Sequence, residues 1–196
     1  MTFRVGDCRV AVGFPFVAVI ALVLALDRSG AAFLGLVCAA LHETAHIAAM
    51  KALGELPQEM CFTAFGIDLV RRSEKRSYGR DALVSFAGPT ANLAAAGLCF
   101  CLFPGKFQIF LVVNLLLFGL NILPVAPLDG GQAMRSLLCC KMEPEKADRV
   151  VTAVSFLVLI PLAAAGFFVL LRSRWNFTLL LAACYLTALL LMKRER

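Results

Sequence analysis

The chain has 196 residues, 61% of them hydrophobic, and a mean hydropathy of +0.84; soluble domains carry roughly 45–50% apolar residues, which excludes a water-soluble globular protein. The apolar runs are too long and continuous for barrel strands, so the chain reads as an all-α polytopic membrane protein whose spanning backbones satisfy their own hydrogen bonds. The net charge of +6 comes from Lys and Arg scattered over several loops and both termini, which argues for membrane topology and against nucleic acid as a partner.

Six transmembrane helices are predicted, at about residues 10–26, 31–53, 82–103, 107–123, 150–171 and 175–192. Each is about 17–23 residues, enough for a ~30 Å hydrocarbon layer. The first follows Arg4 and Arg9 and leaves through Ala25-Leu26-Asp27-Arg28. No small-x-small cleavage site follows it, so an uncleaved helix is expected rather than a signal peptide.

The second span carries His42-Glu43-Thr44-Ala45-His46, an H-E-x-x-H, and its histidines are the only two in the chain. Two imidazoles and a carboxylate in hydrocarbon cost several kcal/mol unless paired. Residues four apart share a helix face, so His42 and His46 can turn ring nitrogens to one Zn²⁺, with Glu43 beside them to take a proton from water. The plain alternative is a buried helix with two hydrogen-bonded histidines.

The largest polar insert, residues 54–81, follows. Met60–Val70 is rich in β-branched and aromatic residues around Gly66. It reads as a short β-hairpin at the cytoplasmic membrane surface, with an irregular interfacial loop as the alternative. The basic run from Arg71 to Arg80 reads as a solvated or headgroup-facing stretch.

In the third span, Gly88-Pro89 permits close helix approach, and Asn92 one turn later needs a polar partner; a packing kink with an interhelical hydrogen bond explains these residues equally well. The fourth span ends in Asn121-Ile-Leu-Pro-Val-Ala-Pro-Leu-Asp129-Gly-Gly. Two prolines three apart break a helix. A short amphipathic segment, Gln132–Cys140, comes next. None of the eight cysteines forms C-x-x-C, so reduced thiols acting as small hydrophobes are expected.

With the N-terminus inside, fifteen of the nineteen Lys and Arg are cytoplasmic, leaving Arg28, Lys106, Arg172 and Arg174 outside. Both termini are then cytoplasmic. Spans two and four run inward together, with His46 about 10 Å from the cytoplasmic end of its span. An Asp after proline is usually a helix N-cap. Here the topology puts Asp129 in the leaflet of the two histidines, and two His plus a carboxylate with one position open is a catalytic zinc pattern.

HETAH at 42–46, GPTAN at 88–92 and NILPVAPLDG at 121–130 together resemble the site-2 proteases, the intramembrane zinc metalloproteases. The resemblance covers about residues 30–140 as a three-helix catalytic core. The flanking helices at 10–26, 150–171 and 175–192 complete a single domain over 1–196. A compact plan without an evident PDZ insertion is most similar to the stage IV sporulation FB-like branch. A nucleotide-sensing C-terminal CBS domain, frequent in that branch, is expected to be absent. The resemblance implies that His42, His46 and Asp129 bind zinc and that Glu43 is the general base. It places Asn121 and Asn92 near the site, on substrate backbone or a developing oxyanion.

The expected protein is thus a zinc metalloendopeptidase of the bacterial cell membrane. Its substrate would be a membrane-embedded or membrane-tethered protein, such as a pro-sigma or anti-sigma factor, and a second membrane protein would regulate it. The sequence leaves the oligomeric state open. Two other readings stay open: a metal-binding pseudoprotease acting as a membrane chaperone or regulator, and a metal transporter. The complete acid/base and ligand set argues against the first, and the lack of an inverted repeat against the second.

Overall fold

Gly13 and Pro15 decide where the first helix starts. Proline in the first turn loses only an N–H that has no intrahelical partner there. In the computed structural model, which describes residues 2–5, 8–54, 59–63, 66–70, 77–173 and 176–194, helix α1 accordingly runs Phe14–Leu26. The turn after it is set by Asp27, whose carboxylate accepts the Ser29 hydroxyl at 2.6 Å, the Ser29 N–H at 2.8 Å and the Ala32 N–H at 2.7 Å. Those donors hold the Asp27 carboxyl below its usual pKa, the Ser29 hydroxyl foremost. Gly30 caps α2 with φ +75°, a left-handed conformation that glycine adopts without strain.

Ahead of α1 stand strands β1 (Thr2–Val5) and β2 (Cys8–Val12). After α2 (Ala31–Ala52) come β3 (Glu59–Thr63) and β4 (Gly66–Val70). The four form one sheet in the order β1-β2-β3-β4. The β1–β2 and β3–β4 pairs are antiparallel hairpins, joined by a parallel β2–β3 ladder that sets Arg9 opposite Glu59. The remaining helices are α3 (Tyr78–Leu102), α4 (Gln108–Asn121), α5 (Asp129–Cys139), α6 (Pro144–Ser173) and α7 (Thr178–Arg194).

The chain divides into two compact units, one of residues 1–77 and 90–118, the other of residues 78–89 and 119–196. In the first, α2 buries a single stripe, Cys38, His42, His46 and Met50, at strict four-residue spacing. Its other faces are partly open, with Phe33 62% and Val37 43% exposed. α1 has no buried residue at all. Apolar helices open on most faces are the signature of a lipid solvent, since water would penalise that much exposed hydrocarbon.

In the second unit, α6 buries Ala147, Val151, Ser155 and Leu159 at the same spacing. Val151 and Leu159 form one cluster with Val125, Leu186 and Leu190. Gly166 lets α6 and α7 touch: a Cβ there would lie 2.7 Å from the Leu180 backbone nitrogen. Arg135 of α5 donates from Nε and Nη2 to the two carboxylate oxygens of Asp148 on α6, a bidentate geometry that fixes orientation as well as charge.

The β-hairpin expected at 60–70 is present as β3–β4. An N-terminal hairpin that the sequence did not announce extends the sheet to four strands, so the fold is mostly helical rather than all-α. The expected first span shrinks to Phe14–Leu26 because residues 8–12 are a strand. Of the six expected spans, α2, α3 and α6 are long and apolar enough to cross a membrane; α1, α4 and α7 are shorter apolar helices. A helix needs about 20 residues at 1.5 Å each for a ~30 Å core, and these three stop short of it. Arg71, Arg72, Lys75, Arg76, Arg174, Trp175 and Arg196 lie outside the described residues.

Candidate metal centre

One helical turn separates His42 from His46, and the buried stripe of α2 carries both. They are 5% and 6% exposed, with rings nearly perpendicular and centroids 4.8 Å apart. Their Nε2 atoms face each other at 3.1 Å. Two nitrogens bound tetrahedrally to one zinc at ~2.05 Å would stand about 3.3 Å apart. The pair therefore already has close to the bite that a chelated divalent ion requires. Glu43, the next residue after His42, is half-buried.

Behind His42 lies a polar chain within the same unit. The His42 Nδ1 is 2.6 Å from Asn92 Oδ1. Asn92, fully buried, donates from Nδ2 to Asn114 Oδ1 at 2.8 Å and to the Cys38 carbonyl at 3.3 Å. Asn114, also fully buried, donates to the Phe110 carbonyl at 2.9 Å and to Cys38 Sγ at 3.1 Å. Asn92 thus has the polar partner that the sequence required. Asn114 was missed, although a lone asparagine inside an apolar run is the same signal that drew attention to Asn92.

In the second unit, Asn121 closes α4 and Asp129 opens α5. Pro124 and Pro127 break the helix between them, and short turns take over: Val125 N–H donates to the Leu123 carbonyl and Leu128 N–H to the Val125 carbonyl, both at 2.8 Å. The N-cap of α5 is Leu128, so Asp129 is the first helical residue and not the cap. Its carboxylate is half-buried and sits where the helix dipole favours negative charge.

Two features pin this loop. Ser155 of α6 accepts the Ala126 N–H at 2.9 Å and donates to the Val151 carbonyl at 2.7 Å. Ser155→Ala leaves the buried Ala126 N–H without that partner and is expected to cost about 1–3 kcal/mol, read as a lowered melting temperature in detergent. Gly130 and Gly131 are the second feature. A Cβ on Gly131 would meet the Val125 carbonyl oxygen at 2.1 Å, and one on Gly130 the Ile122 carbonyl oxygen at 2.2 Å. Backbone cannot swing aside, so Gly131→Ala is expected to cost at least the ~1–3 kcal/mol of ordinary overpacking. It should also displace Asp129, lowering metal content more than Ser155→Ala does at equal loss of stability.

The structure thus brings His42, His46 and Asn92 together in one unit, and sets Asn121 and Asp129 at the two ends of one proline-broken loop in the other.

The Peptidase family M50 profile matches residues 103–162. That stretch contains Asn121 and Asp129 and lies wholly C-terminal to HETAH. The solved structure of the site-2 protease from Methanocaldococcus jannaschii matches with a TM-score of 0.65 at 19% identity, over 95% of this chain and 91% of that one. At that identity the likeness is one of fold. No curated protein matches the chain.

Proposed function

We propose that this chain is an intramembrane zinc metalloendopeptidase. The observation that carries the reading is the buried His42–His46 pair, its Nε2 atoms 3.1 Å apart, with a carboxylate on the adjacent residue. The M50 match at 103–162 supports it from a separate part of the chain, because the two segments do not overlap. His42, His46 and Asp129 offer the nitrogen and oxygen donors that zinc takes, and three protein ligands leave a coordination position open. When bound, zinc acidifies water and polarises the scissile carbonyl.

The chain's own residues do the rest. Glu43 takes the proton of the attacking water on its carboxylate and later returns it to the leaving amine nitrogen. Asn121 lies two prolines upstream of Asp129 and is proposed to hold substrate backbone. The substrate's own helix hides its carbonyls in hydrogen bonds, so a spanning segment must unwind before attack. β4 ends the sheet and pairs with β3 only, among the described residues. An unwound segment pairing along it would be held extended, as in β-augmentation.

All six apolar helices are proposed to cross the membrane, the short ones where the bilayer thins locally. An even number of crossings keeps fifteen of nineteen basic residues, and both termini, on the cytoplasmic side. The substrate class is then a membrane-tethered regulator presented near that face, such as a pro-sigma or anti-sigma factor, with a second membrane protein as regulator. The compact plan suits a stage IV sporulation FB-like enzyme of a bacterial cell membrane.

The test is co-expression of the chain with single-span tethered substrates, followed by size analysis. Cleavage within or beside the span, dependent on metal, is the expected result. No cleavage of any such substrate by zinc-loaded protein would favour the pseudoprotease reading.

A further inference from the structure

The geometry points to a tautomer lock on His42, built from Asn92 and Asn114 and anchored on two backbone carbonyls. A main-chain carbonyl only accepts hydrogen bonds. The Cys38 carbonyl faces one side of the Asn92 amide at 3.3 Å, so that side is the NH₂. The Phe110 carbonyl faces Asn114 at 2.9 Å, so its facing side is NH₂ and the other is the oxygen, which receives the second Asn92 donor. Both donors of Asn92 are then committed. Its oxygen is turned to His42, where it can only accept, so His42 Nδ1 must carry the hydrogen. The neutral ring consequently presents Nε2 as a bare lone pair, on the side of His46.

This gives Asn92 a different role from the oxyanion donor expected by resemblance: no N–H of its amide remains to point at a substrate. Asn92 and Asn114 are positioning residues. They act through His42, fixing which nitrogen donates to a metal and stopping the ring from flipping. Full burial of both amides keeps water from substituting for either. Each link satisfies the one before it, so the network has a single hydrogen-bond polarity. The sequence separation is large, with α2, α3 and α4 each contributing one member, and the carbonyls that set the polarity belong to helices rather than loops.

The inference rests on His42 being a metal ligand only where metal affinity is concerned; the tautomer is a property of the metal-free chain. Two histidines in the chain make ¹⁵N-histidine spectra of the full protein in detergent simple to assign. At mildly alkaline pH without metal, His42 is expected as the Nδ1–H form. Finding His42 as Nε2–H overturns the lock.

Zn²⁺ and Co²⁺ affinity by chelator competition provides the second reading. Removing an outer partner of a metal-bound histidine typically costs 10–100-fold in affinity. Asn92→Leu and Asn114→Leu are expected to lose that much, to give a mixed His42 tautomer signal, and to alter the Co²⁺ absorption bands. Asn92→Asp keeps an acceptor on Nδ1 and is expected to retain the Nδ1–H form, but its second oxygen takes the place of the NH₂ that faces the Cys38 carbonyl and Asn114 Oδ1, so a lowered melting temperature is expected with it. If either Leu variant fails to fold, the wild-type spectrum still decides. Correct tautomers with no metal binding would sink the zinc reading and leave the lock standing. Metal binding that both Leu variants leave unchanged would sink the lock and leave the zinc reading standing.

Discussion

Glu43→Gln is expected to abolish cleavage of a tethered substrate while leaving one zinc per chain and the melting temperature unchanged. The change swaps one carboxylate oxygen for an amide nitrogen of nearly the same size, so packing on half-buried ground is preserved. What is lost is the capacity to hold a proton. General acid–base catalysis contributes roughly 10²–10⁴-fold, and Glu43 is proposed to serve twice, at the water and at the leaving amine. A fall at or beyond the upper end of that range is therefore expected in kcat, measured by product formation in detergent with metal content checked on the same sample. Turnover within a few-fold of wild type would remove Glu43 as the base. A fall in zinc content alongside activity would recast it as a ligand or a support for one.

The paired histidines were legible in the sequence because their spacing is a property of the helix itself: four residues make one turn, whatever surrounds it. The structure adds what spacing cannot supply, the identity of the face. Cys38 and Met50 extend the same stripe, which shows that the histidines sit on the packed side of α2. Non-local partners are another matter. That Asn92 would meet His42, fifty positions earlier, was beyond a single sequence; that it needed a partner was not.

Segment boundaries show the same division. Hydropathy marks where hydrocarbon lies, not where a helix ends. α6 starts at Pro144, ahead of the apolar run expected from residue 150, because proline suits a first helical position and Glu145, Lys146 and Ala147 are good helix formers whatever their hydropathy. α5 starts at Asp129 rather than at Gln132: Gly130 and Gly131 lie inside the helix, where they admit the backbone of residues 122–125. The N-terminal hairpin escaped notice for a different reason. Val10-Ala11-Val12 runs into Phe14 with only Gly13 between, and a short apolar stretch does not declare strand or helix by periodicity.

Asp129→Ala is expected to lose the metal, and the size of two stability changes can separate that from a merely local effect. Asp129 has a second part as the first residue of α5, where a negative charge at the helix N-terminus is worth about 0.3–1 kcal/mol. Its removal should therefore lower the melting temperature of zinc-free protein only slightly. Metal linkage is larger: zinc at 100 times its dissociation constant stabilises the folded chain by about 2.7 kcal/mol. Wild type should thus melt well above its zinc-free form when zinc is added, and Asp129→Ala should show almost no such rise, with zinc per chain falling well below one by elemental analysis. Asp129→Asn keeps a polar group in the first turn but weakens the ligand, so it should resemble Asp129→Ala in zinc response. One zinc per chain in Asp129→Ala, with the full zinc-dependent rise, would mean that the carboxylate closing the site comes from elsewhere. Attention would then move to Glu43, the acidic residue beside the imidazole pair in the chain, and its assignment as base would have to be given up along with that of Asp129 as ligand.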